Sequence, residues 1–409
     1  MRSILTIILS IVVAAAMGQR VKTGIEVLRD NHFDILKGKR VGLITNPTGV
    51  DSRLVSTIDI LKSAKDVRLV CLFAPEHGVR GDVHAGDKVE SYKDIKTDIT
   101  VHSLYGKNRI PTKEMFDAID VIVYDIQDIG CRSYTFISTM GEVMSAAAKY
   151  GKEFVVLDRP NPIGGLKVEG CLVEEGFHSF VSKFKIPYLY GLTAGEVAKL
   201  FVGEKMLNNN NLKLTIVPMQ GWTRDMDYTD TGLEWVLPSP HIPHPFSAYY
   251  YPATGILGEL GAVSIGVGYT LPFQIIATED IDATALAEKL NALKMEGVAF
   301  RPIFVKPFYA AGQSKNLQGV QIHLTNPKRA RLSDIQFVVM DVMHKMNPKL
   351  DFFKMATSPA RIDMWNKVLG TDKIYKEFSK NLDWNAVKGY WTKDEEAFKR
   401  LSSKYYIYQ

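Results

Sequence analysis

Four short and almost continuously apolar runs in the first half of the chain place the strongest constraint on its fold. They span residues 41–45, 69–74, 121–125 and 154–158, and amphipathic segments separate them. This alternation is typical of strands that cross over through helices into a parallel sheet. Strands that are apolar throughout are expected where helices cover both faces of a sheet. The pattern therefore predicts an α/β fold.

The amino-acid composition changes near residue 236, where proline and aromatic residues become frequent. Such a change indicates a boundary between two domains. Beyond it, β-rich segments at 273–277, 298–304 and 320–324 alternate with helical ones. We therefore predict a parallel-sheet domain over residues 19–235 and a smaller α+β domain over residues 236–409. Capping boxes, in which Glu or Gln follows a hydroxyl residue by three positions, predict helix starts at Thr193, Ser333 and Thr392.

The first 18 residues have the features of a secretory signal peptide. Arg2 precedes an apolar stretch over residues 4–17, and small residues follow. The stretch is shorter than the roughly 20 apolar residues of a spanning helix. We expect export to the periplasm or the medium, without stable membrane insertion after signal removal. The net charge of +5 is spread along the chain, so nucleic acid is not an expected partner.

Polar segments shaped by glycine and proline follow each of the four apolar runs. The carboxyl ends of parallel strands lie on one edge of the sheet, where open α/β folds bind ligands. Glu76 follows the second run and is the predicted general acid or base, with His77 and Arg80 near enough to tune it. Asp125 and Asp128 are candidates for a second catalytic carboxylate, and a helix cap or a salt bridge is the alternative role for either.

The same loops supply amides, guanidinium groups and further polar side chains that suit a sugar ligand. Arg80, Arg132 and Arg159 could each bind a substrate carboxylate through paired hydrogen bonds, or could stabilise the fold. The complete set of predicted substrate-binding residues is Asn46, His77, Arg80, Gln127, Arg132, Tyr134, Asp158, Arg159 and Asn161.

Other chemistries find less support in the sequence. His77, Asp82, His84 and Asp87 have the side chains of a metal site but lack a known ligand spacing, so a metal-dependent hydrolase is only an alternative and no metal is predicted. No apolar run is followed by GxGxxG, and neither a phosphate-binding P-loop nor a GxSxG elbow occurs. No cofactor is expected. The three cysteines are predicted to be buried and unpaired.

These segments together resemble the NamZ exo-β-N-acetylmuramidase family. The matching motifs are Asn46-Pro47-Thr48-Gly49, Pro75-Glu76-His77-Gly78, Asp125-Ile126-Gln127-Asp128-Ile129-Gly130, Asp158-Arg159-Pro160-Asn161-Pro162 and Tyr190-Gly191-Leu192-Thr193. The resemblance implies a Rossmann-like N-terminal domain, a smaller C-terminal domain and a cleft between them. It also implies release of N-acetylmuramic acid from the non-reducing end of peptidoglycan fragments during cell-wall recycling, with Glu76 as the favoured catalytic residue.

Two segments differ from the family pattern. Many members carry Glu-Gly-Thr-Asn and Gly-Arg-Gly-Thr stretches where this chain has residues 258–261, Gly-Glu-Leu-Gly, and residues 266–269, Gly-Val-Gly-Tyr. This difference favours, as an alternative, a glycan-binding relative without turnover or one with altered sugar specificity.

Overall fold

A computed structural model of the chain describes residues 20–76, 78–81, 91–106 and 109–409. The predicted signal peptide lies outside these residues, as do His77, Asp82, His84 and Asp87. Within the described ranges, none of the helices combines the length and the apolar composition needed to cross a membrane.

A seven-stranded sheet forms the centre of the N-terminal half. Its strands are β1 (Arg40–Thr45), β2 (Arg68–Ala74), β3 (Tyr92–Lys93), β4 (Thr100–Ser103), β5 (Val121–Asp125), β6 (Glu153–Leu157) and, after the short pair β7 (Val168–Glu169) and β8 (Leu189–Tyr190), β9 (Leu214–Val217). The four predicted strands are confirmed as β1, β2, β5 and β6. The sheet order is β3-β4-β2-β1-β5-β6-β9, and every pairing except β3 with β4 is parallel.

The six parallel strands, counted along the chain, lie in the spatial order 3-2-1-4-5-6, which is the Rossmann order. The order reverses between β1 and β5, so the loops after these strands diverge and leave a crevice. Helices cover the sheet: α1 (Gly24–Asp30), α2 (Thr57–Ser63), α3 (Lys113–Asp117), α4 (Phe136–Lys149) and α5 (Ala194–Gly203). The α/β prediction is thus confirmed.

The C-terminal half is α+β, as predicted. Its three-stranded antiparallel sheet has the order β10-β12-β11. The strands are β10 (Ile275–Thr278), β11 (Val298–Val305) and β12 (Leu317–Leu324). The helices are α6 (Ser247–Gly258), α7 (Ala283–Ala292), α8 (Asp334–Met346), α9 (Pro359–Leu369), α10 (Lys373–Phe378), α11 (Trp384–Thr392) and α12 (Glu395–Ser402).

One of the three predicted capping boxes forms. The Thr193 hydroxyl accepts from the Glu196 amide, and the Thr193 amide donates to the Glu196 carboxylate. The helix start predicted at Ser333 is confirmed, because Ser333 is the N-cap of α8, but no box forms there because its hydroxyl donates to the Glu169 carboxylate. The prediction is wrong at Thr392, which ends α11 rather than starting a helix. A tertiary contact outweighs the local pattern at Ser333, whereas the Thr392 hydroxyl donates to the Lys388 carbonyl within α11.

The two halves share one continuous hydrophobic core, to which Ile129 and Tyr188 contribute from the first half and Phe337 and Trp391 from the second. Arg132 reinforces this junction from a fully buried position. Its guanidinium donates to the carbonyls of Val368 and Leu369 at the end of α9, to two carbonyls of the first half and to the Ser182 hydroxyl. A cation is favourable at a helix C-terminus, whose last carbonyls lack helical partners.

We predict that Arg132→Met destabilises the protein by at least about 3 kcal/mol, because it leaves several buried carbonyls without a donor. Urea unfolding followed by circular dichroism measures this loss. The matched control is Arg329→Met, because Arg329 pairs with Glu296 at the surface, and we expect a change within about 0.5 kcal/mol for it. Equal stabilities of the two variants would contradict the role of Arg132.

Candidate active site

The main cavity opens between the two halves of the molecule and has a volume of about 1050 Å³. That is at the upper end of the roughly 300–1,000 Å³ typical of small-molecule sites. From the first half it is lined by Glu76, Tyr105, Arg109 and residues 133–136 and 179–181. From the second half it is lined by residues 239–242, Tyr251, Phe273, Tyr309, Met364 and Lys367. The predicted cleft between the halves is therefore present.

Glu76 reaches this cavity because it follows Pro75 directly at the end of β2. Gly78, with a φ of 76°, adopts the left-handed conformation that lets the loop turn back, and its amide donates to the Pro75 carbonyl. The Thr135 hydroxyl donates to Oε2 of Glu76 over 3.3 Å. The glutamate thus has an oriented carboxylate at the cavity wall. Its neighbour His77 lies outside the described residues.

Tyr134, in the segment between β5 and α4, lines the same cavity as Glu76. Its ring packs edge-on against Phe136 and Tyr251, with centroid separations of 5.1 and 5.7 Å. Burial raises the pKa of the Tyr134 phenol well above its usual value, and the negative charges of Asp128 and Glu76 raise it further. The phenol therefore stays protonated near neutral pH and lies within electrostatic range of both carboxylates.

Asp128 lies beside the main cavity rather than in its wall. Its side chain is buried, and Oδ2 accepts hydrogen bonds from the Tyr190 hydroxyl and from the Gly130 amide. Oδ1 has no hydrogen-bond partner among the described residues. Burial raises the pKa of Asp128 to about 7, so the group titrates near neutrality. It adjoins a small separate pocket with Pro160 and Asn161.

Asp125, the other candidate carboxylate, is fully enclosed. Arg159 donates from Nε to Oδ1 over 2.5 Å and from Nη2 to Oδ2 over 3.0 Å. The Thr57 hydroxyl donates to Oδ2 as well. The sequence left a helix cap or a salt bridge as the alternative role of Asp125, and the structure shows the salt bridge. Arg159 also donates to the Val50 carbonyl, so its guanidinium is engaged inside the protein.

The other two candidate arginines are engaged in the same way. Arg80 forms a bidentate ion pair with the buried Asp94, in which Nε donates to Oδ1 over 2.9 Å and Nη2 donates to Oδ2 over 3.0 Å. Arg132 uses all its N–H groups in the five hydrogen bonds at the interdomain junction. For all three arginines the structure therefore shows the second alternative raised by the sequence, which is stabilisation of the fold through protein acceptors.

The remaining predicted binding residues form a buried polar layer beneath the cavity. Asn46 accepts from the amide and the hydroxyl of Thr48, and Gln127 donates to the carbonyls of Asp128 and Pro160. Asn161 donates to the carbonyl of Leu192. They hold the loops at the sheet edge together and, like Asp128, do not line the main cavity.

Asp158 belongs to this layer too. It accepts from the Gly195 amide and from the Thr193 and Tyr408 hydroxyls, and burial raises its pKa to about 6. Gly130 shows how tightly the layer is packed. Its φ is 78°, and a Cβ at this position would lie 2.4 Å from Oδ1 of Asn161.

Several cavity residues were not among the sequence candidates. Arg109 follows β4, a strand that the sequence did not reveal because Thr-Val-His-Ser is not an apolar run. Its guanidinium carbon lies 4.1 Å from the centre of the Phe180 ring. Tyr309, from the second half, hydrogen-bonds to His241 over 2.9 Å. In the sequence, the one sign of the cavity wall from the second half was the Pro-Ser-Pro-His segment at 238–241, which we interpreted as part of a domain boundary.

The cysteine prediction is confirmed, since Cys71, Cys131 and Cys171 are buried and free. The described residues contain no group of three or more His, Cys, Asp or Glu side chains arranged to hold a metal ion.

Comparison with known proteins gives matches over nearly the whole chain. A model described as "Exo-beta-N-acetylmuramidase NamZ, N-terminal" matches residues 41–246, and one described as "Exo-beta-N-acetylmuramidase NamZ, C-terminal" matches residues 249–408. The peptidoglycan beta-N-acetylmuramidase NamZ of Bacillus subtilis (strain 168) is 41% identical over 389 residues, which are 95% of this chain and 92% of that protein.

Two crystal structures of DUF1343 family proteins from Bacteroides fragilis NCTC 9343 are similar to this fold. The first has a TM-score of 0.91 at 56% identity and covers 95% of this chain and 99% of its own. The second has a TM-score of 0.75 at 27% identity and covers 96% of this chain and 99% of its own.

We predict a pH-dependent contribution of Asp128 to stability. The unfolded chain loses this proton near the ordinary value of 3.8, whereas the folded protein keeps it up to about 7. Between these pH values the folded state holds more protons, so stability falls as the pH rises. At about 1.4 kcal/mol per pKa unit, the loss due to this group is no more than about 4 kcal/mol.

Urea unfolding between pH 4 and pH 8 tests this prediction with Asp128→Asn, which keeps the shape of the side chain but cannot ionise. Its stability should fall less across this range than that of the wild type. Asp363→Asn is the control, since Asp363 is exposed and its loss should leave the slope unchanged. Parallel profiles for the wild type and Asp128→Asn would refute the prediction.

Proposed function

The chain belongs to the exo-β-N-acetylmuramidase NamZ family, and we propose from this membership that Glu76 is the general acid with which it acts on peptidoglycan. The enzyme is a glycosidase that releases N-acetylmuramic acid from the non-reducing ends of peptidoglycan fragments. The observation that carries the catalytic proposal is that Glu76 is the one carboxylate among the described lining residues of the interdomain cavity.

Glu76 has the placement that a proton donor to a glycosidic oxygen needs. Its carboxylate borders a cavity large enough for more than one sugar ring, and Thr135 fixes its orientation. A glycosidase acid protonates the leaving-group oxygen while the bond to the anomeric carbon breaks. The aglycone then leaves as an alcohol, and the carboxylate that remains can accept a proton from the incoming water.

The aromatic side chains of the cavity suit the substrate's rings. Tyr251 and Phe273 pack edge-on at a centroid separation of 5.0 Å, and Tyr309 also lines the cavity from the second half. Apolar and aromatic walls with few polar groups are typical of sites that bury a small ligand. We propose that these rings support the sugar while Glu76 and Tyr134 face the bond to be cleaved.

We predict that Glu76→Gln lowers the rate of release from a chromogenic β-N-acetylmuramide by at least about 100-fold, because the amide cannot donate the acid's proton. The rate is measured as aglycone release under saturating substrate. Glu296→Gln is the matched control, since Glu296 is exposed and ion-paired at the surface, and its rate should equal that of the wild type. Undiminished release by Glu76→Gln would reject the assignment.

We also propose that residues 1–18 direct export and are then removed, on the strength of Arg2 and the apolar stretch that follows. Expression of the full chain in a Gram-negative host should give a mature protein that begins at residue 19 in the periplasm or medium. N-terminal sequencing of each fraction measures this. A protein that stays in the cytoplasm with Met1 intact would disprove export.

A further inference from the structure

Arg109 is the cavity residue with the clearest unassigned chemistry. It lies in the loop after β4, at the same sheet edge as Glu76, and both side chains line the interdomain cavity. Its guanidinium lies over the ring of Phe180, which also lines the cavity, with 4.1 Å between the guanidinium carbon and the ring centroid. Such a cation–π contact holds the group in place while its N–H edges stay available to a ligand.

The other arginines near the sheet edge differ from Arg109 in their partners. Arg80 and Arg159 each bind a buried aspartate, and Arg132 binds backbone carbonyls. For Arg109, no carboxylate partner occurs among the described residues. Among the described lining residues the other lysine or arginine is Lys367, which pairs with Asp363 over 2.6 Å on its own helix. A positive group within the cavity is thus available for an anionic ligand.

The substrate carries such an anion. N-acetylmuramic acid differs from N-acetylglucosamine by a lactyl ether, and this group ends in a carboxylate. In the cavity this carboxylate meets the like charge of Glu76 whenever that residue is ionised, and a nearby guanidinium offsets the repulsion. A planar guanidinium also matches a carboxylate through two parallel hydrogen bonds.

We propose that Arg109 binds the lactyl carboxylate of the muramyl unit and thereby selects muramyl over glucosaminyl ends. The proposal rests on the proposed function, because it names the group of that same substrate that the cavity recognises. It makes Arg109 a specificity-determining residue and leaves the proton transfer to Glu76.

The kinetic test compares two chromogenic β-muramides, one with a free lactyl carboxylate and one with the lactyl methylamide. We expect the preference of the wild type for the acid, expressed as a ratio of kcat/KM values, to fall about 10- to 100-fold in Arg109→Met. Arg109→Lys keeps the charge but loses the planar fork, so its preference should be intermediate. Arg329→Met, which removes a remote surface arginine, should keep the wild-type ratio.

A binding test separates this proposal from the catalytic one. Calorimetry with free N-acetylmuramic acid and its methylamide needs no turnover, so it reports on Arg109 even if Glu76 is not the acid. Arg109→Met should weaken binding of the acid by the same 10- to 100-fold. Thermal unfolding of Arg109→Met should match the wild type, because the arginine is exposed.

Three results would overturn the proposal. The first is an equal loss on the acid and on the methylamide, which would make Arg109 a general structural contact. The second is loss of the preference in Lys367→Met but not in Arg109→Met. The third is a larger loss of binding in Arg109→Met for N-acetylmuramyl-L-alanine than for N-acetylmuramic acid. That result would mean that Arg109 recognises the carboxylate of the amino acid and not that of the lactyl group.

Discussion

The buried ion pair between Asp125 and Arg159 is the constraint on which the arrangement of the sheet edge depends. It joins the end of β5 to the end of β6, and Thr57 ties the start of α2 to the same carboxylate. Two charges removed from water are tolerated only when both are well paired and hydrogen-bonded, and loss of one partner of such a pair costs about 3–5 kcal/mol. Three chain segments are therefore held in one geometry beside the point where the strand order reverses.

A polar layer built on this pair explains why so few of the predicted binding residues reach the cavity. Loops that are buried at a sheet edge carry backbone groups that helices and strands do not satisfy. The side-chain amides of Gln127 and Asn161 donate to such loop carbonyls, at Pro160 and Leu192. A side chain suited to a sugar hydroxyl is equally suited to a loop carbonyl. Residue type and strand-end position alone therefore do not separate the two roles.

The sequence was sufficient for those parts of the fold that repeat a simple pattern. The strands β1, β2, β5 and β6 are apolar because helices cover them, whereas β4 contains His102 and two hydroxyl residues and is only partly buried. The site shows the same division. The sequence predicted Glu76 as a site residue because it directly follows an apolar strand of the parallel sheet. Arg109 was not predicted because it follows β4, which is not an apolar run. Tyr309 lies in the cavity through tertiary packing, for which the sequence has no periodic signal.

The junction between the halves links stability to the geometry of the site. Arg132 binds the last carbonyls of α9, directly after Lys367 and about one turn after Met364, both of which line the cavity. Three residues after Arg132, Thr135 orients the Glu76 carboxylate. One buried guanidinium therefore fixes both a wall from the second half and the segment that positions the proposed acid. Because a displacement of about 1 Å can cost roughly 100-fold in rate, the packing of α9 matters for catalysis although the helix contributes no carboxylate to the cavity.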